Sequence, residues 1–130
     1  MLLVDSFEGF LGMQQWSEPL VFDRLIAAYR KLRADDALAL TRLHARVWRA
    51  LIADDATAFK GLRVELVAAL GRANLPLAHL AEIDAEVMAE LLEVVDARFS
   101  RSQRTMKAYH LALTEIALRV RPAKARAAAA

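Results

Sequence analysis

Apolar residues recur along this chain at three- and four-residue steps, the spacing of one face of a helix. The strongest pattern lies in residues 74–99, NLPLAHLAEIDAEVMAELLEVVDARF. Leu80, Ile83, Val87, Leu91 and Val94 form its stripe. Met88, Leu92, Val95 and Phe99 widen it. Leu75-Pro76 reads as the start signal, because proline has no N–H and its φ is already helical. A helix with so broad an apolar face needs cover from more than one neighbour. The pattern therefore predicts it as the central helix of an all-α domain.

The remaining elements follow in order. In residues 1–16, Leu3, Phe7, Phe10 and Leu11 suit one face of a short helix, although Gly9 and Gly12 weaken it. Two readings stay open there, a short helix packed on the core and an apolar segment that pairs with a partner. Ser17-Glu18-Pro19 reads as a helix entry, with Ser17 as cap and Pro19 in the first turn. Leu20, Phe22, Leu25, Ile26, Tyr29 and Leu32 follow at helical spacing. Asp36 is expected to cap the next helix, which carries Leu38, Leu40, Leu43, Val47, Trp48 and Leu51. Asp55 is expected to cap another, through Phe59, Leu62, Leu66 and Leu70, with Gly71 and Asn74 at its exit. After the central helix, Ser100 or Ser102 caps a last helix striped by Met106, Tyr109, Leu113, Ile116 and Val120. Arg121-Pro122 ends it. The pattern divides the chain into an apolar segment at 1–16, a helical domain at 17–121 and an Ala-rich tail at 122–130. The tail has no second stripe to bury and reads as a frayed extension or the start of a linker. The expected architecture is one compact all-α domain of five to six helices.

Composition narrows the classes. The 130 residues fit one domain, and 57% hydrophobic content is enough for a core at that size. The absence of cysteine excludes disulfides, thiolate catalysis and Cys-based metal sites, and agrees with a cytoplasmic setting. A net charge of +2 is too small to argue for nucleic acid. No apolar run approaches the roughly 20 residues a bilayer needs, so no membrane partner is expected. Asp5 and Glu8 argue against a signal peptide.

Charge is uneven. Glu82, Asp84, Glu86, Glu90, Glu93 and Asp96 precede Arg98 on the strongest helix, whereas the two helices before Asp55 are mainly basic. The acidic run reads as a solvated face neutralised by neighbouring arginines, or as an acidic surface for a partner. Chemistry is sparse. His44, His79 and His110 make no pair at metal-ligand spacing, and a lone helical histidine is usually a boundary residue. No nucleophile elbow or phosphate loop appears. The basic cluster Arg98, Arg101, Arg104 and Lys107 lacks the aromatic platforms that single strands need. No catalytic residue and no metal site is expected.

The stretches AAYRKLRADDALA, RLHARVWRALIADDATAF and ALGRANLPLAHLAEIDAEVMAELLEVV resemble the helical order of bacterial globin-type sensor domains over roughly residues 20–120. Asn74-Leu75 resembles the link before that family's two long C-terminal helices. The resemblance implies a proximal haem histidine near Leu70-Gly71, but VELVAALGRAN has none. Haem iron needs an axial donor, and this segment offers none. The resemblance thus implies a regulatory or sensory domain without a cofactor. It also implies pairing of the last two helices with a second copy or a protein partner, through Met88, Leu92, Val95, Phe99, Leu111 and Leu118. The alternative is a sensor of haem or a small apolar ligand, with His44 or His79 at the pocket.

Overall fold

The computed structural model describes residues 5–121, and these form five α-helices: α1 Ser6–Tyr29, α2 Ala34–Ile52, α3 Ala56–Arg72, α4 Leu77–Arg98 and α5 Gln103–Arg119. Among the described residues there is no strand, and the all-α expectation holds. The Ala-rich tail lies outside them, as does Leu3.

The first correction concerns α1. A single 24-residue helix runs across the expected boundary at 16/17, with Pro19 inside it. Ser17 does not cap a helix; it is buried on the inner face. The reason is the stripe Phe10, Met13, Ser17, Val21, Leu25 and Tyr29, which continues through the proline. An interior proline costs about 3 kcal/mol through a lost hydrogen bond and a ring clash. Here Pro19 and Gln15, the residue four positions before it, both lie on the exposed side of the helix. Asp5 caps the helix by accepting from the Glu8 N–H at 3.4 Å.

The second correction follows from the first. α1, not α4, is the hub: it packs against α2, α4 and α5, while α3 is held mainly by α2. The approach of α1 to α5 depends on small residues. A Cβ at Gly9 would collide with the Ala108 carbonyl and lie 2.9 Å from the Ala112 methyl. Gly12 is covered by the Tyr109 ring. Tyr109, Phe99 and Trp16 form an aromatic cluster with centroids 4.7–5.6 Å apart, which joins α1, α5 and the end of α4. The Trp16 indole donates to the Tyr109 hydroxyl at 3.2 Å.

The helix ends show which local signals decided. Asp55 caps α3, accepting from the Ala58 N–H at 3.1 Å, and Ser102 caps α5, accepting from Thr105 at 3.2 Å. Asp36 does not cap α2. It lies with Asp35 in the first turn, after Arg33 at the cap position. Carboxylates there still favour the helix, because they face its positive end. Pro76 stands one position earlier than expected, as the N-cap of α4. Asn74 (φ +59°) takes the left-handed turn after α3, where the Leu75 N–H closes on the Leu70 carbonyl at 2.9 Å.

Candidate functional site

Two places hold more than packing. The first is a buried polar chain at the centre of the domain. Tyr29 ends α1, His44 and Trp48 lie one turn apart on α2, and Asp84 sits on α4. The Tyr29 hydroxyl is 2.7 Å from His44 Nδ1, and His44 Nε2 is 2.7 Å from Asp84 Oδ1. The Trp48 indole donates to the same oxygen at 2.9 Å. An ionised carboxylate only accepts, so His44 Nε2 donates to it. In the neutral imidazole Nδ1 then accepts from the phenol. Burial raises the Tyr29 phenol well above its ordinary value, and the charge of Asp84 adds to the shift.

This chain corrects two expectations. His44 is not a boundary residue; it is fully buried. Asp84 does not belong to the solvated acidic face and is only 7% exposed. The signal for Asp84 was present, since it stands four residues after Leu80 and three before Val87, within the apolar stripe. No buried side-chain nitrogen or oxygen among the described residues lacks a partner. The chain is therefore a satisfied lock across three helices, closed to a substrate.

The same geometry tests the haem alternative. Both ring nitrogens of His44 are taken by protein partners. A metal would have to displace one of them in the packed interior. His79 is at the surface, 3.8 Å from Glu82. Among the described residues no three His, Cys, Asp or Glu side chains gather as metal ligands.

The second place is the outer face of α4 and α5. Leu92, Leu111 and Leu118 are exposed large apolar side chains. Met88, half-buried, shares a shallow groove of about 460 Å³ with Ala89, Leu92, Leu113 and Ala117. Asp96 and His110 close one end of it, 3.0 Å apart. Two of the expected interface residues lie elsewhere. Val95 is fully buried in the domain's own core, and Phe99 belongs to the aromatic cluster with Trp16 and Tyr109. Both point inward because α4 carries its apolar stripe around toward α1 and α5. The other edge of α4 presents Glu82, Glu86 and Glu93 to solvent, and Arg24 of α1 lies 3.9 Å from Glu86. The acidic run is thus partly neutralised, as its pattern predicts. On α5, Lys107 stands beside His110 and Leu111 on this face, and Arg104 donates to Glu8 at 2.6 Å. That bond lowers the Glu8 carboxyl and raises the Arg104 guanidinium from their ordinary values.

Among the described residues no helix is long and apolar enough to cross a membrane. No protein-family model, no curated protein and no solved structure matches this chain.

Proposed function

We propose that this chain is a non-enzymatic regulatory or sensory helical domain that works by self-association, without haem, through the outer face of α4 and α5. The observation that carries the reading is the apolar band of Leu92, Leu111 and Leu118 beside the Met88–Ala117 groove, open to solvent in the single chain. Apolar area removed from water contributes about 25 cal/mol per Å², and a second copy of the same face supplies that cover by two-fold symmetry. Charge favours one arrangement. With the two-fold axis along the helices, α4 of one copy lies over α5 of the other. The acidic edge of α4 then approaches the α5 that carries Lys107 and Arg104. With the axis across the helices, two acidic edges would meet and repel.

The regulatory part of the reading rests on the resemblance to bacterial globin-type sensor domains, in which the last two helices pair. The cysteine-free composition suits a cytoplasmic setting. The closed polar chain supports the non-enzymatic part, because its histidine and carboxylate are out of a substrate's reach. Sedimentation or light scattering from low to high micromolar concentration tests the association. A dimer that Leu92→Glu with Leu118→Glu converts to a folded monomer is expected. A wild-type monomer at high micromolar concentration overturns the reading.

A further inference from the structure

A cleft separates the middle of α1 from the last half of α2. Its volume is about 230 Å³, larger than the cavity of about 150 Å³ that holds benzene inside a protein. Ala45, Ala53 and the stems of Gln14 and Arg49 supply its accessible lining, over Val21, Trp48 and Ser17, which are buried beneath them. Ala45 leaves the space open on the α2 side. Gln14 closes one end by donating to the Ile52 carbonyl at 3.4 Å. At the rim stand Glu18 and Arg49, 63% and 66% exposed, bonded to each other across the two helices.

We propose that this cleft binds a free α-amino acid with an apolar side chain. The rim decides the class. It holds one carboxylate and one guanidinium already matched. A monocarboxylate would satisfy Arg49 but leave Glu18 beside it as a like charge. An amine would satisfy Glu18 and repel Arg49. A zwitterion replaces the one ion pair with two, its carboxylate on the guanidinium fork and its ammonium on Glu18. An exposed ion pair is cheap to open. The ammonium also faces the C-terminal end of α2 at Ile52 and Ala53, where the helix dipole favours a cation. The side chain then lies against Ala45 and Ala53, above the buried Val21 and Trp48, in a space that suits leucine or phenylalanine. The Trp48 indole beneath the cleft also donates to Asp84 of α4, so Trp48 stands between an occupant and the buried chain. The inference stands apart from the association reading: binding is measured on this cleft whatever the mass of the particle.

The test is a titration of the intact chain with L-leucine, followed by the indole N–H signal of Trp48 in a proton–nitrogen spectrum. There are two tryptophans, and Trp16→Phe assigns the signal. Leucine is expected to shift it saturably in the millimolar range or tighter. 4-Methylpentanoate and 3-methylbutylamine, which each lack one charge, are expected to bind at least about tenfold more weakly. Arg49→Met and Glu18→Gln, both at exposed positions, are each expected to weaken leucine about tenfold or more while the helical circular dichroism is retained. No saturable shift with leucine overturns the proposal. So does equal affinity for all three compounds, or leucine binding that survives both substitutions.

Discussion

Nε2 of His44 lies 2.7 Å from Oδ1 of Asp84, although the two residues are forty apart in the chain. The carboxylate also holds the Trp48 indole, and His44 also meets the Tyr29 hydroxyl. One oxygen therefore fixes the register of α4 against α2, and the imidazole passes that constraint to the end of α1. A fully satisfied buried network specifies one packing, and a partly satisfied one is worse than none. The consequences are measurable.

Asp84→Ala strips the acceptor from two buried donors at once. Each buried donor left without its acceptor costs about 1–3 kcal/mol, together a large share of the roughly 5–15 kcal/mol that holds a small domain together. Urea denaturation should show a midpoint far below wild type, or a chain unfolded in buffer. The double change His44→Phe with Asp84→Leu should cost less than the sum of the two single changes. Additivity would mean that the two groups are not coupled.

The Tyr29 phenol gives a pH signature. Its folded-state value is raised, first by burial and then by the charge of Asp84, whereas the unfolded phenol titrates near about pH 10. The folded chain therefore keeps a proton that the unfolded chain releases. Its contribution is fully present below about pH 10 and is lost as pH rises above it. Tyr29→Phe should flatten the alkaline limb of the stability curve. At neutral pH it should cost about 1–3 kcal/mol, because His44 Nδ1 loses its buried partner.

Glycines on different helices should respond in opposite directions. Gly9→Ala pushes a methyl into the Ala108 backbone, which has no rotamer to yield. Overpacking of this kind costs about 1–3 kcal/mol. Gly61, inside α3, has nothing within 4 Å of an added Cβ. Gly61→Ala should therefore stabilise by about 0.5–1 kcal/mol through helix propensity alone. Thermal melts of the two variants, shifted to opposite sides of wild type, would bear this out. Equal shifts would contradict the close crossing of α1 and α5.

Helix starts give a further contrast. Asp55→Ala removes the acceptor of the Ala58 N–H and should cost about 1 kcal/mol. Asp36→Asn removes only a charge from the first turn of α2, within about 0.3–1 kcal/mol. Denaturation midpoints that rank them in the reverse order would mean that Asp36, not Asp55, caps a helix.

Pro19→Ala should stabilise. It restores an N–H to the exposed side of α1 and removes a ring from a helix interior, and the gain should lie within the roughly 3 kcal/mol that interior proline costs. A loss of stability on denaturation would mean that a separate helix does begin at Ser17, as the local signal suggests.

Much of this fold was legible from local patterns, because helix periodicity and capping act over three or four residues. The stripes of α2 to α5 apart from the exposed Leu38 and Leu92, the caps Asp55 and Ser102, and the turn at Asn74 follow from neighbours in sequence. The Ser-Glu-Pro signal at residue 17 misled for the same reason. It states what a peptide would do alone, while the core stripe from Phe10 to Tyr29 overrides it when α2, α4 and α5 offer surfaces to cover. Asp84 and His44 show the limit more sharply. Each looks polar and therefore exposed, and only the convergence of α1, α2 and α4 supplies the partners that make burial tolerable. The sequence alone determined an all-α chain without cysteine chemistry. The tertiary structure decided which polar groups meet inside and which helix is the hub. It also decided which apolar residues of α4 and α5 are left facing outward, because these depend on residues that only packing brings together.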